Sequence, residues 1–346
     1  MAKTGFRVVR IVAIVLAFVV AFALLNMVAK PKYSVDLPEG SMIAEYYHSS
    51  KNHQVIFIGD CDVYQNFSPM AMYEQAGIKA FVRGTPHQFI WQSYYILRET
   101  LRHETPDVVV FSIHSIRYEQ HDFREISQSQ REAYNRLTLD NMRWSRDKVD
   151  LIRSSMTEEE SFASYIFPIL RYNARFGELG LEDFTQIFTR QSHTFNGFLP
   201  ATNVTPLGNL PAKRTLDDYN FCEENMRYLE RMAKLTYENN VRLVLVMPPR
   251  MFPHWHEEYN AQIEAFANDH PNVSYYNLLD KVDEIGIDFA VDTHNGGLNL
   301  NWDGATKLSR FFAELLAENY SLDDLSGDEF FDELFETYQD ARALPR

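Results

Sequence analysis

Val55-Ile-Phe-Ile-Gly-Asp-Cys-Asp-Val-Tyr64 is the stretch whose reading decides the fold. Four apolar residues, β-branched or aromatic, run without polar alternation into Gly59-Asp60, the pattern of a strand buried on both faces of a parallel sheet. Gly59 ends the strand and leaves Asp60-Cys61-Asp62 just past its carboxyl end, the edge of an open α/β sheet where ligands bind. Cys61 is therefore the centre of the candidate site. A buried structural cysteine is the competing reading of the same residues.

Working outward, Ile78 to Val82, Val108 to Ile113, Val241 to Met247 and Val273 to Tyr276 read as four further strands. Helices fall between them. Ser68 and Pro69 look like an N-cap and first-turn proline opening a helix that Gly77 stops. Phe89, Ile90, Tyr94, Leu97 and Leu101 share one helical face between Pro86 and His103. Cys222 to Asn239, His254 to Asn268, and Asp303 to Asn319 (with Asp303 as N-cap) complete the set. Strand and helix alternating over short links call for right-handed crossovers and a five-stranded parallel sheet.

Arg117 to Leu216 carries no strong strand signal. Glu132 to Ser155, Glu158 to Tyr172 and Leu181 to Phe188 read as helices, with Thr157 to Glu160 as a capping box before Phe162, and a Pro/Gly/Asn-rich loop spans Ser192 to Pro211. This block is expected to be a helical insertion after the third strand that lids the sheet. From Ser321 the tail is acidic, but Phe330, Phe331, Leu334, Phe335 and Tyr338 recur at helical spacing and imply a packed amphipathic C-terminal helix.

At 346 residues and 45% apolar, the chain has ample material for a core. Its net charge of −15 argues against a nucleic-acid partner, which requires clustered Lys and Arg. Ile11 to Ala29 is apolar apart from Asn26 and, as a helix, would be about 28 Å long, close to the hydrocarbon thickness of a bilayer. Lys3, Arg7 and Arg10 precede it, so the reading is a single-pass signal-anchor in the cell membrane, with residues 1–10 cytoplasmic and the rest extracytoplasmic. A cleaved signal peptide is the alternative. Residues 30–53 read as a stalk ahead of a domain spanning 54–320. Cys61 and Cys222 are the only cysteines, too few for a disulfide scaffold; a bond between them would consume the candidate nucleophile.

Gly-Asp-Cys after the first strand, Gly84 after the second, and Gly297-Leu-Asn-Leu-Asn301 with Gly304-Ala305 before the last helix together resemble the SGNH (GDSL-type) hydrolases. The likeness covers residues 54 to 318 apart from the insertion, and looks closest to the membrane-anchored branch linked to O-acetylation or D-alanylation of cell-envelope polymers. It implies a flavodoxin-like three-layer α/β sandwich and acyl-ester hydrolysis or acyl transfer on an acylated cell-surface glycan, with no cofactor. The alternative is a catalytically inactive module that binds such a polymer or a partner membrane acyltransferase.

Carried over by position, Cys61 falls on the nucleophile and Gly84 on the oxyanion glycine. The motif departs elsewhere. His114 stands where an Asn is expected, Asn299 where the catalytic His should be, and Asn295 at the upstream acidic position. An amide does not titrate and cannot serve as a base. Two replacements are available: His294 oriented by Asp292, or His114 approaching from the neighbouring strand. Asp60, Asn299, Asn301 and His256 are further candidates for the oxyanion or substrate wall, with Trp255 beside His256. His254-Trp-His256-Glu257 is better read as a polar helix start than as a metal site.

Overall fold

The computed structural model describes residues 2–31, 39, 41–49, 52–118, 126–185 and 194–344. Five strands, β1 (Val55–Gly59), β2 (Ala80–Gly84), β3 (Val108–Ser112), β4 (Arg242–Met247) and β5 (Val273–Asn277), form one sheet in the order β2-β1-β3-β4-β5. Every pairing is parallel. This is the doubly wound, flavodoxin-like order, and its topological switch point lies between β1 and β3.

The apolar runs are explained by helices on both faces. Ile56, Ile58, Val109, Phe111, Leu243 and Leu245 point to one layer, where they meet helices Ile90–His103, Glu223–Glu238 and Glu257–Asp269. Val55, Phe57, Val108, Val110, Val244 and Val246 point to the other, against helices Pro69–Ala76, Trp302–Tyr320 and Glu329–Ala343. With a side-chain period of two and a core on each side, neither face of a central strand can carry polar residues.

The local signals read from sequence have physical counterparts. Ser68 caps helix Pro69–Ala76 through Ala71 N, and Gly77 closes it at φ +62°. The terminal helix is packed, with Phe331 and Tyr338 buried and the Tyr338 hydroxyl receiving Trp302 Nε1 at 2.6 Å.

Several expectations need correction. The long helix expected over Glu132 to Ser155 is two, Gln128–Leu139 and Arg146–Ser155, because Ser145 caps the second by accepting from Lys148 N. Pro168 divides the next stretch into Phe162–Ile166 and Ile169–Tyr172, since proline disfavours a helical residue before it. Thr157 to Glu160 forms a turn, with Glu160 Oε2 accepting from Thr157 N, while Ser161 is the N-cap of Phe162–Ile166. The helix expected over Leu181 to Phe188 is described as Leu181–Thr185; residues 186–188 lie outside the described residues. Asn301, not Asp303, caps the last helix.

The stalk reading also changes. Residues 32–38, 40, 50 and 51 lie outside the described residues, but Met42, Ile43 and Tyr46 are buried in the core. Tyr46 lies 3.9 Å beneath the buried Arg83 guanidinium and donates to Glu104 at 2.6 Å. Part of the loop within the insertion has a structural task at the sheet edge. Asn196 O accepts from Val82 N, and Asn196 Nδ2 donates to Ala80 O, so the free side of β2 is covered. Gly197 makes this approach possible: at φ +84°, a Cβ there would stand 1.9 Å from Val82 O.

Among the described residues one helix, Ala2–Ala29, is long and apolar enough to cross a membrane over Phe6–Ala29.

Candidate functional site

The carboxyl ends of β1, β2 and β3 converge at the switch point. Gly59 and Gly84 are register partners, and a Cβ on Gly84 would lie 3.0 Å from Gly59 O and 3.2 Å from Asp60 O. The two strand ends therefore meet through bare backbone. Asp60 starts a short helix, Cys61–Tyr64, by accepting from Asp62 N at 3.0 Å. Cys61 is half-buried at the head of that helix, between two buried carboxyl groups.

Asp62 is the hub. Its Oδ2 receives Arg250 Nη1 at 3.0 Å, and Ser112 Oγ and His114 Nδ1 both lie 3.4 Å from it; its Oδ1 receives Asn299 Nδ2 at 3.1 Å. Arg250 comes from the loop after β4 and is also anchored to Leu298 O and Phe252 O. Asp60 holds a hydrogen bond from the Tyr118 hydroxyl. Asp60, Cys61 and Asp62 offer ligand atoms within 4.8 Å of one another, but the Asp62 oxygens already accept from Arg250 and Asn299 and Asp60 accepts from Tyr118, so both carboxyl groups are engaged in one hydrogen-bond network.

The electrostatics oppose a thiolate. Burial first, then the Asp60 and Asp62 carboxylates, push the Cys61 thiol well above its usual value, against the opposing pull of Arg250 and a hydrogen bond from Asn299. Burial, and then Asp62, raises Asp60 to about 7 despite the Tyr118 and Asp62 N–H donors. Burial, then the positive charges of Arg250 and Arg117, hold His114 well below its ordinary value, as a neutral imidazole.

The sequence-derived site residues divide into groups. Asp60, Cys61, Gly84, His114 and Asn299 come together at the switch point. His294 and Asp292 do not form the expected relay with Cys61: among the described residues no hydrogen bond joins the three. His294 Nε2 faces Gln65 Oε1 at 3.2 Å, while Asp292 Oδ2 accepts from Lys307 Nζ at 2.6 Å and from Asp288 N at 2.8 Å. The physical reason is the bridge pairing Thr293 with Leu300, which, with Thr293 Oγ1 donating to Asn299 O, ties the loop so that Asp292 turns to the last helix. Asn301 acts as a cap, accepting from Gly304 N and donating to Val291 O. His256 packs edge-on against Tyr219 and Tyr259 at the head of its helix, and Trp255 is buried beside Phe221 and Tyr259. Cys222 carries a free thiol, as does Cys61, so the pair is not bridged.

Three contributors escaped sequence reasoning. Arg250 follows two prolines and carries no motif of its own. Tyr118 lies in a stretch with no periodic signal. His87 adopts φ +52°, stacked 4.0 Å from Tyr118 and 5.0 Å from Tyr134, just past the carboxyl end of β2. The detectable signal for the first was position alone: a cation directly after a buried strand, on the edge where two acids stand.

No protein-family model matches the chain, and no curated protein matches it. Among solved structures, a candidate acylhydrolase from Bacteroides fragilis is 10% identical and superposes with a TM-score of 0.38, covering 84% of this chain and 99% of its own. A GDSL-like lipase from Bacteroides thetaiotaomicron is 11% identical with a TM-score of 0.35, covering 81% and 97%. At those scores neither likeness bears on the roles of individual residues, and the fold class rests on the sheet order itself.

Proposed function

We propose that this chain is a membrane-anchored, extracytoplasmic SGNH-type domain that takes an acyl ester of a cell-envelope glycan at the Cys61 rim and holds it without rapid turnover. The supporting observation is the side chain held against Asp62, the residue after the thiol. Asn299 stands at the position where the resemblance calls for an imidazole, and its amide donates to Asp62 Oδ1 at 3.1 Å, on the residue next to Cys61. An amide can orient a ligand carbonyl but cannot accept a proton from the thiol. The two flanking carboxyl groups add to this by favouring the protonated sulfur.

A second reading is ester hydrolysis or acyl transfer through Cys61, and one observation favours it: His114 and Arg250 stand on Asp62, the residue next to the thiol. An imidazole and a guanidinium at one strand edge could supply a base and a charge for an oxyanion. The two readings separate on a single measurement. The full-length protein in detergent is mixed with p-nitrophenyl acetate and with an O-acetylated envelope glycan. Saturable glycan binding with no stoichiometric nitrophenol burst is expected. A burst abolished by Cys61→Ala and weakened by His114→Ala would establish the enzyme and overturn the binding reading.

A further inference from the structure

The helical insertion makes contact with the N-terminal helix as well as with the sheet. Phe22 and Phe167 pair at 5.5 Å between ring centroids. Asn26 Oδ1 accepts from Ile169 N, Arg175 Nη1 donates to Ala29 O, and Lys30 Nζ donates to Asp140 O. Val28 and Ala29 are buried by these contacts, whereas residues 6–25 of the same helix are exposed. The last turn of the apolar helix is thus clasped by the folded domain.

Around this clasp the insertion turns apolar side chains outward. Ile166, Phe167, Leu170, Phe176, Leu181 and Phe184 are all exposed, Leu170 at 55% and Leu181 at 79%. Large apolar residues gathered at one place on a surface mark a contact with protein or membrane. Trp144, also exposed, lies four residues beyond the Asp140 that receives Lys30, in keeping with the enrichment of Trp at membrane–water interfaces.

We propose that residues 162–185 form a second membrane contact, seated in the boundary between headgroups and acyl chains of the leaflet from which the anchor emerges. This rests on the anchor reading given above. Lengths support it. With Arg7 and Arg10 on the cytoplasmic side, the apolar run Ile11 to Ala29 is about 28 Å as a helix, against a hydrocarbon core of about 30 Å. Its end, the clasped turn Asn26 to Ala29, therefore lies at the far boundary of the hydrocarbon. Phe22, the partner of Phe167, stands about 10 Å below that end, within the depth of about 5–10 Å that interfacial helices reach. The net charge of −15 does not favour attraction to anionic lipid, so the contact is apolar and needs no acidic lipid. The seat also sets the height of the rim. Thr85, directly after β2, hydrogen-bonds Thr138 at 2.6 Å, two residues from Asp140 on the chain and so within one helical turn of the residue that holds Lys30. The Cys61 rim therefore works close to the membrane surface.

The test uses the full-length chain in nanodiscs of phosphatidylcholine, with a benzophenone side chain placed in turn at positions 16, 170, 181 and 237. Position 16 lies in the apolar helix, and Tyr237 is exposed on helix Glu223–Glu238. Illumination is expected to give lipid adducts at 16, 170 and 181 and none at 237. Lipid adducts at 16 but not at 170 and 181 overturn the second contact and leave the anchor standing. Failure at 16 removes the anchor reading, and the second contact with it. Adducts at 170 and 181 to another copy of the chain overturn the proposal in favour of self-association.

Discussion

Asn299 Nδ2 lies 3.1 Å from Asp62 Oδ1, and through this bond an amide is locked at the mouth of the Cys61 rim. Asn295 holds the other side of Asn299, donating to its Oδ1 at 2.8 Å and accepting from its backbone N at 2.7 Å. The two asparagines brace one another, so the substitution at the expected histidine position is built into the loop.

Asn299→His places an imidazole beside Asp62, the residue after Cys61. If the missing base limits chemistry, the variant gains acylation by p-nitrophenyl acetate of about 10²-fold, the usual contribution of a positioned general base. The gain is expected to vanish in Asn299→His combined with Cys61→Ala. Stopped-flow nitrophenol release reads both.

Arg250→Met leaves Asp62 buried with its main counter-charge gone. Removing one partner of a buried ion pair costs about 3–5 kcal/mol, and Arg250 is only 9% exposed. Urea unfolding of the detergent-solubilised chain should show a loss of that order. Arg250→Met combined with Asp62→Leu should recover part of it.

Asp60 is raised to about 7 by burial and by Asp62, above its unfolded value of 3.8. The folded state therefore binds more protons than the unfolded state between those values, and this group's contribution to stability falls as pH rises through that window. Asp60→Asn removes the buried charge, so its melting temperature relative to the parent should climb from pH 4 to pH 7. Differential scanning fluorimetry across that range checks the slope.

Glu104 behaves in the opposite sense. Burial raises its pKa, but hydrogen bonds from His53 and Tyr46 outweigh that and lower it to about 2 from 4.5. Its stabilisation is present above the unfolded value and is lost as pH falls from about 4.5 towards about 2. Glu104→Gln should be less stable than the parent at pH 7, by about 3 kcal/mol, with the gap closing in acid.

Gly197→Ala requires a side chain at φ +84°, 1.9 Å from Val82 O. The strained backbone and the clash are expected to cost at least about 2 kcal/mol and to lift the 194–199 turn from the edge of β2. Hydrogen exchange at Val82 N–H, which is bonded to Asn196 O, should quicken.

By itself the sequence determined the architecture of this protein. Unbroken β-branched and aromatic runs read as strands sandwiched between helices, and their alternation with amphipathic segments makes the strands parallel. The same reasoning placed Cys61 and Gly84 on one rim, because both stand at the carboxyl ends of strands. The tertiary structure alone decided how that rim is wired. Arg250 reaches Asp62 across 188 residues of sequence, and Tyr118 reaches Asp60 from a stretch without periodic signal. His294, close to the expected base position in sequence, turns to Gln65 because the Thr293–Leu300 bridge sets its loop. Periodicity reports which way a residue faces within its own helix or strand; which distant charge it meets depends on how the loops at the sheet edge fold over one another, and no local pattern encodes that.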